Sequence, residues 1–335
     1  NPVDPQCQST LGVQLTAVPS VNGVTNPTFT YNWTGAVTSS QASPLLDIST
    51  PGTKNVTLRV TANNGCTSDP ATINVVVNPN PLAQIITPQP MTVCAGSSLT
   101  LQANNSTPGV QYTWDGTAKS YISPTAGASV TFTPPSIISP TQTYNVILTA
   151  TNTLTGCSSQ TNADITVYRQ PTVSLGNDLE LCLGTSTVLN PSITNAVQPL
   201  AEIRWVLDTT ELSNTATMNP TFTQKELKTY KVGLRVTDAN GCQGYDEVNI
   251  SGLANPVADA GIDKNVDWNT AFSLAGNASG GTPGYTWLWQ PKDSLTTANT
   301  VQNPTSILKE STWFELQVTD SKGCKDIDSV LITVI

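Results

Sequence analysis

Histidine is absent from this chain of 335 residues, and charged residues make up only 11% of it. Without histidine the chain lacks Ser-His-Asp and Cys-His nucleophile systems, HExxH metal sites and the commonest general base. A pair of carboxylates, as in glycosidases, is the acid–base arrangement that remains. No acidic residue stands in a recognisable catalytic setting, so the sequence predicts that the protein is not an enzyme.

Basic residues and long apolar runs are also scarce. The chain has 14 Lys and Arg against 23 Asp and Glu, and without a basic stripe to neutralise phosphates we exclude nucleic acid as a partner. No run of 18 apolar residues is present, which excludes a transmembrane helix. No signal peptide opens the chain, and Asn1 lies only six residues before the first cysteine. We therefore expect an acidic extracellular piece of a longer polypeptide, with its first domain truncated at the N-terminus.

A short motif recurs near the end of each quarter of the chain. It reads Leu-Arg-Val-Thr-Asp-Ala-Asn-Gly-Cys at 234–242, with similar copies at 58–66 and 316–324 and a looser copy at 148–157. Alternating apolar and polar residues predict a strand, and the Asn, Gly and Lys residues predict the turn that ends it. The repeat distance of roughly 85 residues is too long for a solenoid coil and suits a small sandwich domain.

The repeat divides the chain into four predicted all-β domains. Each has about seven short alternating strands and one central tryptophan, the pattern of an immunoglobulin-like (Ig-like) β-sandwich. Short linkers that contain proline predict a semi-rigid linear rod of four tandem domains. The predicted domains cover residues 1–80, 81–169, 170–255 and 256–335. The predicted core tryptophans are Trp33, Trp114, Trp205 and Trp287.

Two runs of residues resemble a known class of module. The run 255–263, followed by a Gly-rich turn and Tyr285-Thr-Trp287, resembles the opening of a PKD domain. The run 175–184 and its Gly-Cys partner resemble the PKD-like and Ig-like modules that Bacteroidota string together in very large secreted cell-surface proteins. These proteins include gliding-motility adhesins and fibres exported by the type IX system. The Trp-Asp-Phe-Gly-Asp-Gly motif of typical PKD domains is reduced here to Trp114-Asp-Gly116 and lost elsewhere.

The resemblance covers the whole chain and implies a non-catalytic structural stalk of a surface adhesin or fibre. Its partners would be further domains of the same polypeptide, and a protein or polysaccharide ligand would bind at a distal tip. Two alternatives stay open. The domains are carbohydrate-binding or other ligand-binding accessory modules of a larger protein, or the chain is a self-assembling subunit of a filament or surface layer.

Seven cysteines indicate an oxidising compartment, and the odd number leaves one of them unpaired. Pairing within domains would leave Cys324 alone, because Asp267 stands at the position of its partner. The three pairs of this first scheme are Cys7 with Cys66, Cys94 with Cys157, and Cys182 with Cys242.

Pairing between neighbouring domains is the second scheme, and domain topology favours it. The first cysteine of a domain lies where the chain leaves the sandwich, and the Gly-Cys lies where the chain enters it. These two positions are a strand length apart, roughly 20 Å, whereas a disulfide needs Cα atoms within about 7 Å. Across a joint between domains the two positions meet. This scheme predicts Cys7 with Cys157, Cys94 with Cys242, and Cys182 with Cys324, and it leaves Cys66 unpaired.

Two ligand sites are candidates in the fourth domain. Four carboxylates, if gathered where the chain enters the domain, would hold Ca²⁺ through oxygen ligands, and the alternative is a solvated acidic rim. No other cofactor is expected. Trp287 and Trp289 share a strand face, so an exposed one would stack on sugar rings, and the alternative is a core role. The four carboxylates are Asp259, Asp263, Asp320 and Asp326.

Overall fold

The computed structural model describes residues 3–104 and 107–335 and is built from β-strands, with short 3₁₀ turns at Lys119–Tyr121 and Lys292–Ser294. The chain forms two compact units, Asn1–Arg169 and Gln170–Ile335. The described residues form four separate hydrophobic clusters, two in each unit. The fold is a tandem of Ig-like sandwiches, and each cluster is the core of one sandwich.

The first unit contains the first and second sandwiches. The strands of the first are β1 Gln6–Cys7, β2 Ser9–Gln14, β3 Phe29–Gly35, β4 Leu45–Ile48, β5 Gly52–Ala62 and β6 Ala71–Asn78. The strands of the second are β7 Met91–Cys94, β8 Leu99–Gln102, β9 Val110–Asp115, β10 Ile122–Ser123, β11 Ser129–Phe132, β12 Thr141–Asn152 and β13 Ser158–Tyr168.

The second unit contains the third and fourth sandwiches. The strands of the third are β14 Thr172–Ser174, β15 Leu179–Cys182, β16 Ser186–Val188, β17 Ser192–Thr194, β18 Glu202–Leu207, β19 Thr221–Thr223, β20 Thr229–Thr237 and β21 Gln243–Leu253. The strands of the fourth are β22 Pro256–Asp259, β23 Lys264–Val266, β24 Ala271–Ser273, β25 Asn277–Gly280, β26 Thr286–Gln290, β27 Thr305–Ile307, β28 Thr312–Thr319 and β29 Lys325–Val334.

The same four-stranded sheet recurs in all four sandwiches. A short strand pairs in parallel with the last strand, which forms an antiparallel hairpin with the strand of the repeat motif, and the tryptophan strand completes the sheet. This arrangement places the Gly-Cys in the hairpin turn and the first cysteine beside the end of the last strand. The strand orders are β1-β6-β5-β3, β7-β13-β12-β9, β15-β21-β20-β18 and β23-β29-β28-β26.

One tryptophan occupies the centre of each core. It pairs across the sheet with the leucine that opens the repeat motif, and its indole Nε1 donates a hydrogen bond of 2.8–3.1 Å to a backbone carbonyl. Packing and a satisfied N–H group together make this position rigid. The pairs are Trp33 with Leu58, Trp114 with Leu148, Trp205 with Leu234, and Trp289 with Leu316.

The central tryptophan of the fourth sandwich is therefore Trp289 and not Trp287. Trp289 is fully buried, whereas Trp287 is half-buried, packs against the edge of the core and pairs with Val318. The sequence-based assignment aligned Tyr285-Thr-Trp287 with the Tyr-x-Trp of the first two domains. Because a strand repeats every two residues, that alignment placed the tryptophan on the correct face but two residues from the correct position.

Candidate functional site at the domain joints

The first unit contains a disulfide between its two sandwiches. Cys7 lies at the end of β1 opposite Asn78, the last residue of β6, and Cys157 precedes β13. Their Sγ atoms are 2.05 Å apart and their Cα atoms 5.4 Å apart. Asn80 fixes the chain that leaves the first sandwich, because its side-chain Nδ2 donates a 2.9 Å hydrogen bond to the backbone carbonyl of Gln8 in the same sandwich. The residues that leave the first sandwich are thus fixed beside the hairpin turn of the second.

The second unit repeats this arrangement. Cys182 ends β15 opposite Leu253, the last residue of β21, and forms a disulfide with Cys324 at a Cα–Cα distance of 5.4 Å. Beside it, the Lys322 ammonium lies 2.5 Å from the Glu180 carboxylate, and both side chains are about half exposed. An exposed ion pair contributes little stability, so the disulfide is the principal link at this joint.

The hairpin turn that carries the Gly-Cys has the same backbone in the first, third and fourth sandwiches. Residues 62, 238 and 320 each donate their N–H to the carbonyl of the cysteine four residues later, at 2.9 Å. The glycine before the cysteine has φ between +79° and +86° in these turns, a conformation that side chains with a Cβ rarely adopt. The glycine of the Gly-Cys pair thus follows from the shape of the turn.

An aspartate stabilises this turn in the third and fourth sandwiches. In the fourth, Asp320 Oδ1 accepts hydrogen bonds from the backbone N–H groups of Cys324 at 2.8 Å and Lys322 at 2.9 Å, and Oδ2 accepts one from Thr282 at 2.8 Å. Burial alone would raise the pKa of Asp320, but these backbone donors outweigh it and lower the pKa below its ordinary value. Asp238 holds the N–H of Cys242 in the same way, at 2.9 Å.

The remaining predicted cysteines have different surroundings. Cys242 is fully buried, and Cys94 ends β7 opposite Tyr168. These two lie in different units, and their pairing stays a prediction. Cys66 is exposed and carries a free thiol, and its turn has Ala62 where the third and fourth sandwiches have aspartate.

The four carboxylates considered for calcium have separate structural contacts. Besides Asp320, Asp259 accepts from the N–H of Gly261, Asp263 from Leu331 and Asp326 from Ala258, at 2.8–2.9 Å. Over residues 3–104 and 107–335, no group of three or more His, Cys, Asp or Glu side chains is arranged to hold a metal ion. The geometry therefore gives the calcium hypothesis no support, and each carboxylate instead fixes a local backbone segment.

Two exposed tryptophans were not singled out by sequence reasoning. Trp268 is 61% exposed and Trp313 59% exposed, and both belong to the fourth sandwich. Trp313 lies on β28 next to the fully buried Phe314. Strand alternation was the available signal, since an aromatic residue next to a core position points to the opposite face.

Searches against known proteins give likeness at the level of fold. No family model and no curated protein matches the chain. It is similar to the N-terminal eight Ig domains of Down Syndrome Cell Adhesion Molecule isoform 1.30.30, at 12% identity and TM-score 0.33, over 92% of this chain and 52% of that one. This chain thus spans about half the length of that fragment.

Two further structures match over nearly their whole length. The insect immune protein hemolin is 10% identical with TM-score 0.28, over 100% of this chain and 98% of that one. Sidekick-1 immunoglobulin domains 1–4 are 14% identical with TM-score 0.25, over 100% and 97%. At these identities the likeness concerns the fold alone. The described residues contain no helix with the length and apolarity needed to cross a bilayer.

Proposed function

We propose that the chain is a non-catalytic stalk segment of a large secreted cell-surface adhesin or fibre, stiffened by disulfides between consecutive domains. The observation that carries the proposal is the position of the disulfides. Cys7–Cys157 and Cys182–Cys324 each join one sandwich to the next, where a bridge restricts the angle between domains. A disulfide inside a sandwich would stabilise that sandwich and leave the joint free.

The covalent path explains why such bridges suit a stalk. Cys7 and Cys157 are separated by 150 residues, and Cys182 and Cys324 by 142. Tension applied along the chain passes through each disulfide and bypasses the residues between its two cysteines. Most of the sandwich strands therefore carry no load, and the domains stay folded under a force that would unfold an unbridged tandem.

The compartment and the partners follow from the same proposal. Disulfides persist in oxidising surroundings, which supports an extracellular location. We place the segment at the cell surface, with further domains of the same polypeptide on either side and a protein or polysaccharide ligand at a distal tip. Export by the type IX system and a role in gliding belong to the proposal through the resemblance to modules of Bacteroidota.

Single-molecule energy transfer within the second unit tests the stiffening. Dyes are attached through unnatural amino acids at exposed Thr215 in the third sandwich and exposed Ala298 in the fourth. We expect a narrow distance distribution in the oxidised chain and a clearly broader one in the double variant Cys182→Ser, Cys324→Ser. Cys66→Ser is the matched control, because this thiol is free, and it should leave the distribution unchanged. Equal widths in the oxidised chain and the double variant would contradict the proposal.

A further inference from the structure

An open groove with an aromatic side lies on the outer face of the four-stranded sheet of the fourth sandwich. Its volume is about 420 Å³. Trp313, which is 59% exposed, belongs to β28, an interior strand of this sheet. A large apolar side chain that is exposed in the middle of a sheet is informative when other groups gather around it. The residues that line the groove are Gln290, Pro291, Trp313, Phe314, Glu315 and Ser329.

The other three sandwiches have a polar pair where the fourth has Trp313. Trp313 lies three residues before the leucine that opens the repeat motif, and it pairs across the sheet with Leu331. At the same place the other sandwiches pair asparagine or lysine with asparagine or aspartate. An aromatic and an aliphatic residue thus replace two polar ones on a face that is open to solvent. The polar pairs are Asn55 with Asn74, Asn145 with Asp164, and Lys231 with Asn249.

This face of the sheet lies clear of the domain joints. The first and third sandwiches are each bonded to the next sandwich of their unit by a disulfide. The counterparts of Trp313 in these two sandwiches, Asn55 and Lys231, are nevertheless exposed. A neighbouring sandwich therefore leaves this position uncovered, and the exposure of Trp313 is a property of the sheet face.

A row of polar side chains crosses the sheet beside Trp313. Glu315 pairs with Gln290 on one side and with Ser329 on the other, and all three line the groove. The Cβ atoms of facing residues in such pairs are about 4.5–5.5 Å apart, and side chains two residues apart on one strand are separated by about 7 Å. The register of the strands thus places an amide, a carboxylate and a hydroxyl next to an exposed indole.

These polar groups have hydrogen-bonding capacity to spare. Gln290 Oε1 accepts the N–H of Lys292 at 3.2 Å, which leaves the two N–H donors of Nε2 available. In the part of the chain that the structure describes, the side chains of Glu315 and Ser329 form no hydrogen bond and no ion pair. The Trp313 indole likewise has no partner among the described residues, whereas the four core tryptophans each donate to a carbonyl.

The same sheet face continues beyond the polar row. Leu288, Gln317 and Ile327 form the next row across the strands, and Leu288 and Ile327 are exposed. Leu288 and Gln317 also line a second groove, of about 530 Å³. From Trp313 to this second row the face extends over roughly 14 Å, which is enough for more than one sugar ring.

We infer that this face binds a neutral polysaccharide, with one sugar ring stacked on Trp313. A pyranose has a face of C–H groups, which packs against an indole, and a rim of hydroxyls, which needs hydrogen-bonding partners. Glu315 accepts from these hydroxyls, and the Gln290 amide donates to them. The chain has a net charge of −9 and Glu315 adds a negative charge inside the groove, so acidic polysaccharides are repelled. The inference is independent of the stalk proposal, which rests on the domain joints.

Glycan binding by the full chain tests the inference. The probes are an array of neutral oligosaccharides of glucose, mannose, galactose and xylose, together with acidic oligosaccharides of uronic acids, and titration calorimetry measures the affinity of each hit. We expect a neutral probe to bind and the acidic probes not to bind. Trp313→Asn introduces the residue type that the first and second sandwiches have at this position, so the circular dichroism spectrum should stay unchanged. This variant should weaken binding by about tenfold or more, because it removes the stacking surface.

Matched variants separate stacking in the groove from general adhesion to exposed aromatic residues. Trp268→Ala is the control, because this indole is 61% exposed in the same sandwich and lies outside the groove, and it should leave the affinity unchanged. The inference is overturned if no neutral probe binds at about millimolar concentration, or if Trp313→Asn binds as tightly as the unaltered chain. It is also overturned if acidic probes bind equally well. A dimer in sedimentation that dissociates in Trp313→Asn would overturn it too, because a second copy then covers the face.

Discussion

The first and fourth sandwiches carry nearly the same repeat motif in different surroundings. In the fourth, Leu316 and Val318 are fully buried, Asp320 stabilises the turn, and Cys324 is bonded to Cys182. In the first, the corresponding Leu58 and Val60 are half-buried, Ala62 replaces the aspartate, and Cys66 is exposed and free. The backbone turn is the same in both, with the N–H of residue 62 or 320 donating to the cysteine carbonyl at 2.9 Å.

The comparison separates what the motif determines from what its neighbours determine. The alternation of side chains and the glycine with positive φ specify a hairpin by themselves. Complete burial of the motif strand depends on the residues packed over it, and closure of the disulfide requires the cysteine of an adjacent sandwich. Each contribution can be removed or restored separately.

The largest effect is expected from the central tryptophans, which the two sandwiches share. Trp33→Ala and Trp289→Ala should each lower the free energy of unfolding of their own sandwich by about 3–5 kcal/mol, because each removes a fully packed indole and leaves a cavity. Trp287→Ala should lower it by about 1–2 kcal/mol, since this side chain is half-buried. Native-state hydrogen exchange at the amides of β5 and β28 measures both effects in the full chain. Equal losses for Trp287→Ala and Trp289→Ala would show that the core position is wrongly assigned.

A smaller effect should distinguish the two sandwiches directly. Leu316→Ala should destabilise the fourth sandwich by about 2–5 kcal/mol, whereas Leu58→Ala, at the same motif position, should destabilise the first by about 1 kcal/mol. The same hydrogen-exchange measurement applies. Equal destabilisation by the two substitutions would contradict the difference in burial between Leu58 and Leu316.

The smallest effect concerns the aspartate that only the fourth sandwich of this pair has. Asp320→Asn should destabilise that sandwich by about 1–3 kcal/mol, because the amide replaces a buried acceptor of several backbone hydrogen bonds. The folded-state pKa of Asp320 is lowered, so its stabilising contribution is present above the unfolded-state pKa and is lost as pH falls through the lower folded-state value. Acid titration of stability should therefore be shallower in Asp320→Asn below about pH 4. Asp69→Asn, at an exposed position in the first sandwich, is the control and should leave the free energy of unfolding of the fourth sandwich unchanged.

Much of the fold could be predicted from local patterns. The strand alternation and Gly-Cys turns of the repeat indicate the hairpins, because both features depend on residues close in sequence. The sequence-based assignment took Trp287 as the core tryptophan where the structure has Trp289. Alternation determines which face of the sheet a side chain occupies, but it does not determine which position along the strand lies at the centre of the core. Only pairing with Leu316 fixes that position, and such register depends on contacts between distant residues.

The same distinction between local pattern and distant contacts applies to the domain joints and to the burial of the motif strand. The proximity of Cys7 to Cys157 could be predicted from domain topology, because the order of the strands along the chain determines at which end of a sandwich each cysteine lies. The partial exposure of Leu58 and Val60 could not be predicted, because these residues have the pattern of a fully buried strand.

Force spectroscopy on the chain held by its two ends tests most directly whether disulfides between neighbouring domains carry the load. With Cys7–Cys157 and Cys182–Cys324 closed, 150 and 142 residues are shielded from extension. At about 3.4 Å per residue, reduction should add roughly 1,000 Å to the contour length on full unfolding. A gain of roughly 600 Å, the value for three bridges inside single domains, or no gain at all would contradict the account.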